Sequence, residues 1–384
     1  MTPENAPPSP PIGPLARLSY WQSWLLVALL VGISAVWFVL DWVRKPPPQV
    51  PSHQVTAVSP QFQLLATWTQ YALTLPPVVG DGRVVFVGTV NAAQDRPALI
   101  ALNVVTGAIA WQIDPDTITR PTAWPDSLNW SAPVTYRWSG LVSHAGRVFA
   151  TEAYLLQTAV SAYYLTNGTR DWQHKLGMIN GSDADYMALN GEQVLVHVND
   201  GNFNAFYMLN DENGRLETQR SDGALAIFLI EKEPDRVYEA VPGGILLNGA
   251  ALWQPPDAGC GIIPQVVRDL IVAQVQECDS PLSRVYALDR FTGELRWQLQ
   301  PPIVGNIALN DAGLLFLLTP DGLLRVVDVG TGKGAGSVTL APDLQQFMGL
   351  DTAVFYVAAQ DDLTAVYTGD SQQLFVFRYT PTVQ

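Results

Sequence analysis

The side chains best placed to do chemistry in this 384-residue sequence are a cysteine pair, a glycine-rich segment around one lysine, four histidines and two acidic turns. The only two cysteines, Cys260 and Cys278, flank a hairpin centred near Asp269. Each lies nine residues from that centre, so a three-residue turn sets them opposite one another, at the short Cβ separation a disulfide needs. A bridge is expected if the domain is extracytoplasmic; otherwise they are two unrelated small buried residues. Without C-x-x-C spacing, redox catalysis is not expected. GTGKGAGS (Gly330–Ser337) has the glycine density of a phosphate loop, but Gly334 follows Lys333 where Ser or Thr would be required, and no helix follows. It reads as a turn. His53, His144, His174 and His197 show neither H-x-x-x-H nor H-E-x-x-H spacing, so no metal centre is expected. GLVSHAG (Gly140–Gly146) is not a nucleophile elbow, and the turns at Asn199–Gly201 and Asn210–Asn213 lack the alternating ligands of a calcium loop. Asn129, Asn167 and Asn180 open N-x-Ser/Thr triplets, which matter only in a host that glycosylates. No catalytic residue is assigned.

Charge narrows the partners. Lys and Arg number 21 against 35 Asp and Glu, a formal charge of −14, and such a chain repels a phosphate backbone. Nucleic acid is therefore not an expected partner. A protein is: the segment Ile118–Gly140 carries Trp124, Trp130 and Trp138 among three prolines, and an aromatic loop on a rigid frame offers contact area at low entropic cost. Capping a channel or packing against the frame is an equal alternative for this loop.

The frame that must position these residues is all-β. Short β-branched and aromatic runs are punctuated by Gly, Asn and Asp, and they recur with a signature. ALNVVTGAIAW (Ala101–Trp111), AYYLTNGTRDW (Ala162–Trp172) and ALDRFTGELRW (Ala287–Trp297) share alanine, turn glycine and tryptophan at identical offsets. Asn248-Gly249 with Trp253 keeps the second half. Four tryptophans, Trp111, Trp172, Trp253 and Trp297, thus follow Gly107, Gly168, Gly249 and Gly293 by four residues. With Gly214 and Gly332 added, successive separations are 61, 46, 35, 44 and 39 residues, the period of propeller blades. Each glycine supplies a hairpin turn to an outermost strand, and each tryptophan fills the wedge between blades. Seven blades are expected, within a range of six to eight. AVYTGDSQQLFVFRY (Ala365–Tyr379) reads as two strands of a blade lacking its outer strand, which LLATWTQYAL (Leu64–Leu73), with Trp68, is suited to supply. Alternatively LFVFRY is itself the outer strand.

The repeat A-x-[DN]-x-x-T-G-x-x-x-W resembles that of the pyrroloquinoline-quinone-like (PQQ-like) β-propellers, over about residues 62–380. That family includes quinoprotein dehydrogenases and the propeller lipoprotein of the outer-membrane assembly machinery. The resemblance implies the fold, with the tryptophans as blade-docking devices shared by members that bind no quinone. It leaves two functions: a protein-binding scaffold needing no cofactor, or a dehydrogenase holding the quinone with calcium. The chain departs from the enzymes in having no adjacent cysteine pair and no assignable calcium set.

Ahead of the propeller, residues 20–43 contain the charge-free run Trp24–Leu40 flanked by Tyr and Trp, and read as a transmembrane helix. A cleaved signal peptide is the competing reading, opposed by the lack of a small-x-small site. Residues 1–19 carry six prolines and read as a disordered tail, 44–61 as a proline-rich linker, and 62–384 as the propeller. Basic residues nearly balance across the helix; a long domain translocates regardless, so the propeller is expected on the extracytoplasmic side of the cell membrane. The reading is a single-pass scaffold or accessory subunit of a membrane complex, with the quinoprotein or an extracytoplasmic ligand sensor as alternatives.

Overall fold

The computed structural model describes residues 60–89, 97–114, 117–118, 134–135, 137–154, 157–178, 184–199, 204–221, 226–231, 235–257, 259–340, 354–369 and 372–381. All belong to the unit Ser52–Gln384. The tail, the transmembrane helix and most of the linker expected from the sequence lie outside these residues.

In chain order the strands are β1 (Phe62–Trp68), β2 (Ala72–Leu73), β3 (Val78–Gly80), β4 (Arg83–Thr89), β5 (Ala98–Asn103) and β6 (Ile109–Ile113). β7 (Thr117–Ile118) and β8 (Val134–Thr135) form a short pair of their own. Then come β9 (Arg137–His144), β10 (Arg147–Tyr154), β11 (Gln157–Tyr164) and β12 (Arg170–Met178), followed by β13 (Ala184–Asn190), β14 (Gln193–Asn199), β15 (Asn204–Asn210) and β16 (Leu216–Arg220). β17 (Ala226–Glu231), β18 (Arg236–Val241), β19 (Gly244–Leu247) and β20 (Ala250–Trp253) precede β21 (Gly261–Val267), β22 (Leu270–Gln276), β23 (Leu282–Asp289) and β24 (Leu295–Gln298). The series ends with β25 (Ile303–Leu309), β26 (Leu314–Leu318), β27 (Leu323–Asp328), β28 (Gly334–Thr339), β29 (Phe355–Gln360), β30 (Leu363–Thr368) and β31 (Gln373–Tyr379).

Consecutive strands pair antiparallel into four-stranded sheets: β9–β12, β13–β16 and β17–β20 each stand alone, and β2 adds to the edge of β4 in the β3–β6 sheet. The β21–β24 and β25–β28 sets are joined where Leu282 and Ser283 pair with Val304 and Ile303. β29, β30 and β31 are completed by β1, with Phe62 opposite Tyr379 and Trp68 opposite Leu374. The two ends of the described chain thus share one sheet, as the first of the two sequence readings expects, and neither presents a free edge on that side.

The first strands also meet in order. β3 touches β9, β9 touches β13, β13 touches β17, β17 touches β21, β25 touches β29, and β29 returns to β3. Between β21 and β25 the link is the Gln265 amide, which donates to the Ile307 carbonyl at 3.5 Å, beside the β23–β25 pairing. The arrangement is cyclic and propeller-like.

Burial follows from this packing. A middle strand is covered on both faces by neighbouring sheets, so β4, β22, β26 and β30 read as largely apolar runs and are buried except at the ends of β4 and at Gln276 of β22. Alternate residues of one strand serve different seams: Val84 and Phe86 pack with Ala365, Tyr367 and Val376, whereas Val85 and Val87 pack with Val148, Ala150 and Tyr163. The fourth strands face solvent on one side, and β6 buries only Trp111 fully.

Candidate functional site

The repeat motif is used up at the seams between sheets. In the turn from β5 to β6, Asn103 Oδ1 accepts the N–H groups of Val105 and Thr106 at 2.9 and 3.0 Å, and Gly107 donates to the Asn103 carbonyl. Asp289 does the same for Phe291 and Thr292, and Asp328 for Thr331. This self-capping is why Asn or Asp stands at that position. The turn closes on a glycine with positive φ, near 70° at Gly107, Gly168, Gly214, Gly293 and Gly332.

That glycine is also where the preceding sheet docks. A Cβ on Gly107 would fall 2.5 Å from Trp68 Nε1, one on Gly168 2.7 Å from the Trp111 ring, and one on Gly332 2.7 Å from Trp297. Trp172 covers Gly214 in the same way. Three of the indoles donate Nε1–H to the carbonyl three residues before the covered glycine: Trp111 to Leu165 at 2.9 Å, Trp172 to Asp211 at 3.0 Å, and Trp297 to Val329 at 2.7 Å. A buried indole needs both a flat neighbour and an acceptor, and the glycine turn of the next sheet supplies the two together.

Two positions depart from the sequence reading. Asn248-Gly249 forms a two-residue turn in which both residues have positive φ, with Leu247 directly opposite Ala250; the turn is shorter than the other copies, and no atom lies within 4 Å of a Cβ on Gly249. Gly293 is covered by the Leu252 carbonyl, while Trp253 packs beside Tyr286 with ring centroids 5.3 Å apart. The sheet β13–β16 carries Thr218 where the tryptophan would stand, so no indole covers Gly249.

Around the first strands, side-chain amides clasp neighbouring backbones. Asn306 accepts the Val357 N–H and donates to the Val357 carbonyl, both at 2.8 Å. Gln274 likewise accepts from Ile307 at 3.2 Å and donates to Gly305 at 2.7 Å. Ser143 Oγ lies 3.2 Å from Gln360 Oε1, across from Gly80. Repeat reasoning missed these clasps because they fall outside the glycine–tryptophan register.

Cys260 and Cys278 form a disulfide with Cα atoms 5.0 Å apart. The hairpin differs in register from the sequence expectation: Val267 pairs with Leu270, so Arg268-Asp269 is a two-residue turn with Arg268 at φ 55°, not a three-residue turn. Gly261 therefore faces Gln276, and the bridge ties the open ends of β21 and β22 just beyond their paired residues.

Of the aromatic loop, Trp124 and Trp130 lie outside the described residues. Trp138 stands in β9, 8% exposed, with its ring edge-on to Tyr163 at 6.3 Å in the core shared with Val85 and Val148. It is therefore a seam residue, not an exposed loop tip, because β9 is held against β10 on one side and that core on the other. Two other sequence candidates are structural as well, while His53, Asn129, Asn180, Asp200 and Gly201 lie outside the described residues. Thr331 and Gly332 of the glycine-rich segment form the turn under Trp297. His197 is buried and stacked on Phe206 at 4.2 Å. Among the described residues, no three His, Cys, Asp or Glu side chains converge to hold a metal.

Charge enters the seams at two places. The residue three before the turn glycine is a buried apolar plug in three copies (Val104, Leu165, Val329), but Asp211 and Arg290 in two others. Asp211 is 3% exposed, with Oδ2 3.8 Å from His144 Nε2. Arg290 reaches back to Glu231 of the preceding sheet at 2.5 Å, and Arg236 meets the other Glu231 oxygen at 3.3 Å. Aligning the copies makes these charged substitutions visible in the sequence. Next to Arg290, Asp289 is held well below the usual carboxylate range, first by its bond to Arg296 and then by turn N–H groups. The Tyr163 hydroxyl is pushed well above its ordinary value by burial and by the Glu152 carboxylate it donates to at 2.8 Å.

A family model described as the outer membrane protein assembly factor BamB matches residues 51–224. Among solved structures, the chain is similar to the crystal structure of BamB from Moraxella catarrhalis, at 13% identity and a TM-score of 0.45, over 83% of this chain and 100% of that one. A search of curated proteins finds no match. The repeat and its seams are those of a chain similar to the PQQ-like propellers.

Proposed function

We propose that this chain is a single-pass membrane protein whose seven-bladed propeller stands outside the cytoplasm and binds other proteins, as an accessory or assembly subunit of a membrane complex. The observation that carries this reading is the use of the repeat. Trp68, Trp111, Trp172 and Trp297 are all committed to covering the next sheet's turn, so the motif builds a rigid ring and no chemistry. Such a frame leaves its loops free to specify partners. The seven four-stranded sets, the last completed by β1, support the blade number. The similarity of residues 51–224 to an assembly factor supports the binding role. The charge-free run Trp24–Leu40 supports the anchor, and the Cys260–Cys278 bridge favours an oxidising compartment. No cofactor is part of this reading.

The test uses the full-length chain in its native membranes. Expected are resistance to alkaline extraction, accessibility of the propeller to protease added from the extracytoplasmic side, and chemical crosslinks to one or a few membrane proteins in reproducible yield. Absence of any crosslinked partner overturns the scaffold. Uptake of quinone and calcium with dye-linked turnover by the detergent-solubilised chain replaces it with the quinoprotein.

A further inference from the structure

We propose that the turn at Arg290 and Phe291 is a docking point for a protein segment that offers a carboxylate beside an apolar or aromatic side chain. The proposal rests on the protein-binding reading above and names the surface and partner chemistry for it.

Phe291 is 45% exposed, yet its position is fixed. Its N–H is bonded to Asp289 Oδ1 at 3.0 Å, and Asp289 is in turn held by Arg296. Two guanidinium groups grip the ring, Arg290 at 4.8 Å and Arg236, from the preceding sheet, at 5.0 Å from its centroid. Both are tethered to the single carboxylate of Glu231. An aromatic side chain immobilised before any partner arrives loses little rotamer entropy on binding. At the matching turn positions stand Val105, Thr166, Glu212 and Gly330, so the ring belongs to this seam and not to the repeat.

The charges say what it would accept. Two guanidiniums share one carboxylate, and among the described residues neither Asp235 nor Asp269, on the adjoining turns, pairs with either of them. A partner carboxylate would meet the guanidinium donors of Arg236 and Arg290 that Glu231 does not occupy. The chain as a whole carries −14, so an acidic segment is disfavoured over most of the surface and accepted where arginines gather. Aromatic and arginine side chains in a partly desolvated cluster are also the residue types that dominate binding energy at interfaces.

The experiment selects peptides from a random display library on the detergent-solubilised full-length chain and measures one synthetic consensus peptide against variants. Expected is a consensus with Asp or Glu next to an aromatic or branched apolar residue. Its binding weakens about tenfold in Phe291→Ala and in Arg236→Gln and falls with added salt, while Val105→Ala, an exposed change at the matching turn of another sheet, leaves it unchanged. Melting curves confirm folding, and Arg236→Gln carries the test should Phe291→Ala fold poorly. A consensus without carboxylate, equal binding to wild type and Phe291→Ala, or no enriched peptide overturns this docking point. Membrane crosslinks that persist in Phe291→Ala do the same while leaving the scaffold reading intact; only loss of all crosslinks in the wild-type chain removes that reading.

Discussion

At the scale of single residues, the seams depend on a glycine and an indole being mutually exclusive in bulk. Gly168 combines positive φ with a Trp111 ring where its Cβ would go, whereas Gly249 has the positive φ alone. Gly168→Ala is therefore expected to lower the unfolding midpoint clearly more than Gly249→Ala, whose cost is about 1 kcal/mol of backbone strain. Trp111→Ala removes a buried ring and the bond to Leu165, and is expected to cost about 3–5 kcal/mol, read from denaturant unfolding. Asp289 gives a pH prediction. Its carboxyl titrates lower in the folded chain than in the unfolded one, so its contribution to stability is complete above the unfolded value of about 4 and is lost as pH falls toward the depressed folded value. Asp289→Asn should flatten the acid limb of a stability–pH curve below about pH 4 and leave its shape at neutral pH unchanged.

At the scale of elements, the β21–β22 hairpin shows how a turn sets everything that follows. The two-residue turn at Arg268-Asp269 fixes the register, and the cysteines end up where the strands separate rather than within the ladder. The bridge closes a segment of 18 residues' separation, for which loop-closure entropy gives about 3 kcal/mol. Cys260→Ser paired with Cys278→Ser should lower the melting temperature, and adding reductant should move the wild-type chain to the same value while leaving the double variant unmoved. A reductant effect of equal size on both would assign the loss elsewhere.

At the scale of the whole molecule, closure is the decisive feature. β1 covers the edge of β31, and Phe62 packs with Phe377 and Tyr379 across that join. Deleting residues 62–68 leaves an uncovered apolar edge, and size-exclusion chromatography should show association or aggregation in place of the wild-type peak. The ring is also uneven. Between the β13–β16 and β17–β20 sheets no indole covers a turn, and the shared core is the small cluster of Leu195, Phe206, Met208 and Val237 with Ile230. Hydrogen exchange is expected to be fastest for the strands flanking this seam and slowest for β4, β5, β22 and β30, which are buried on both faces. Uniform protection around the ring would contradict that ranking.

The repeat was legible in the sequence because its cause is local. A turn that caps itself with Asn or Asp, closes on a positive-φ glycine and carries an indole four residues later needs the same residues each time it occurs. The pairing of the segment up to Trp68 with the last strand was legible for the same reason, since Trp68 repeats the docking residue without its glycine, whereas Ala72 and Leu73 of the expected segment join the edge of β4 instead. Other features depended on contacts between residues far apart in the chain. Trp138 looked like a loop aromatic because prolines surround it, but the fold buries it where β9 meets a core drawn from five other strands. The Asn306 and Gln274 clasps and the Glu231–Arg290 pair join sheets that the sequence separates by tens of residues, so no local pattern signals them. Phe291 is one more turn residue in the sequence; only the neighbouring sheet, by bringing Arg236 and Glu231 to it, makes it a fixed and exposed anchor. Local sequence thus determined the turns and the repeat, while tertiary structure decided which side chains meet, because seam contacts depend on how consecutive sheets close into a ring.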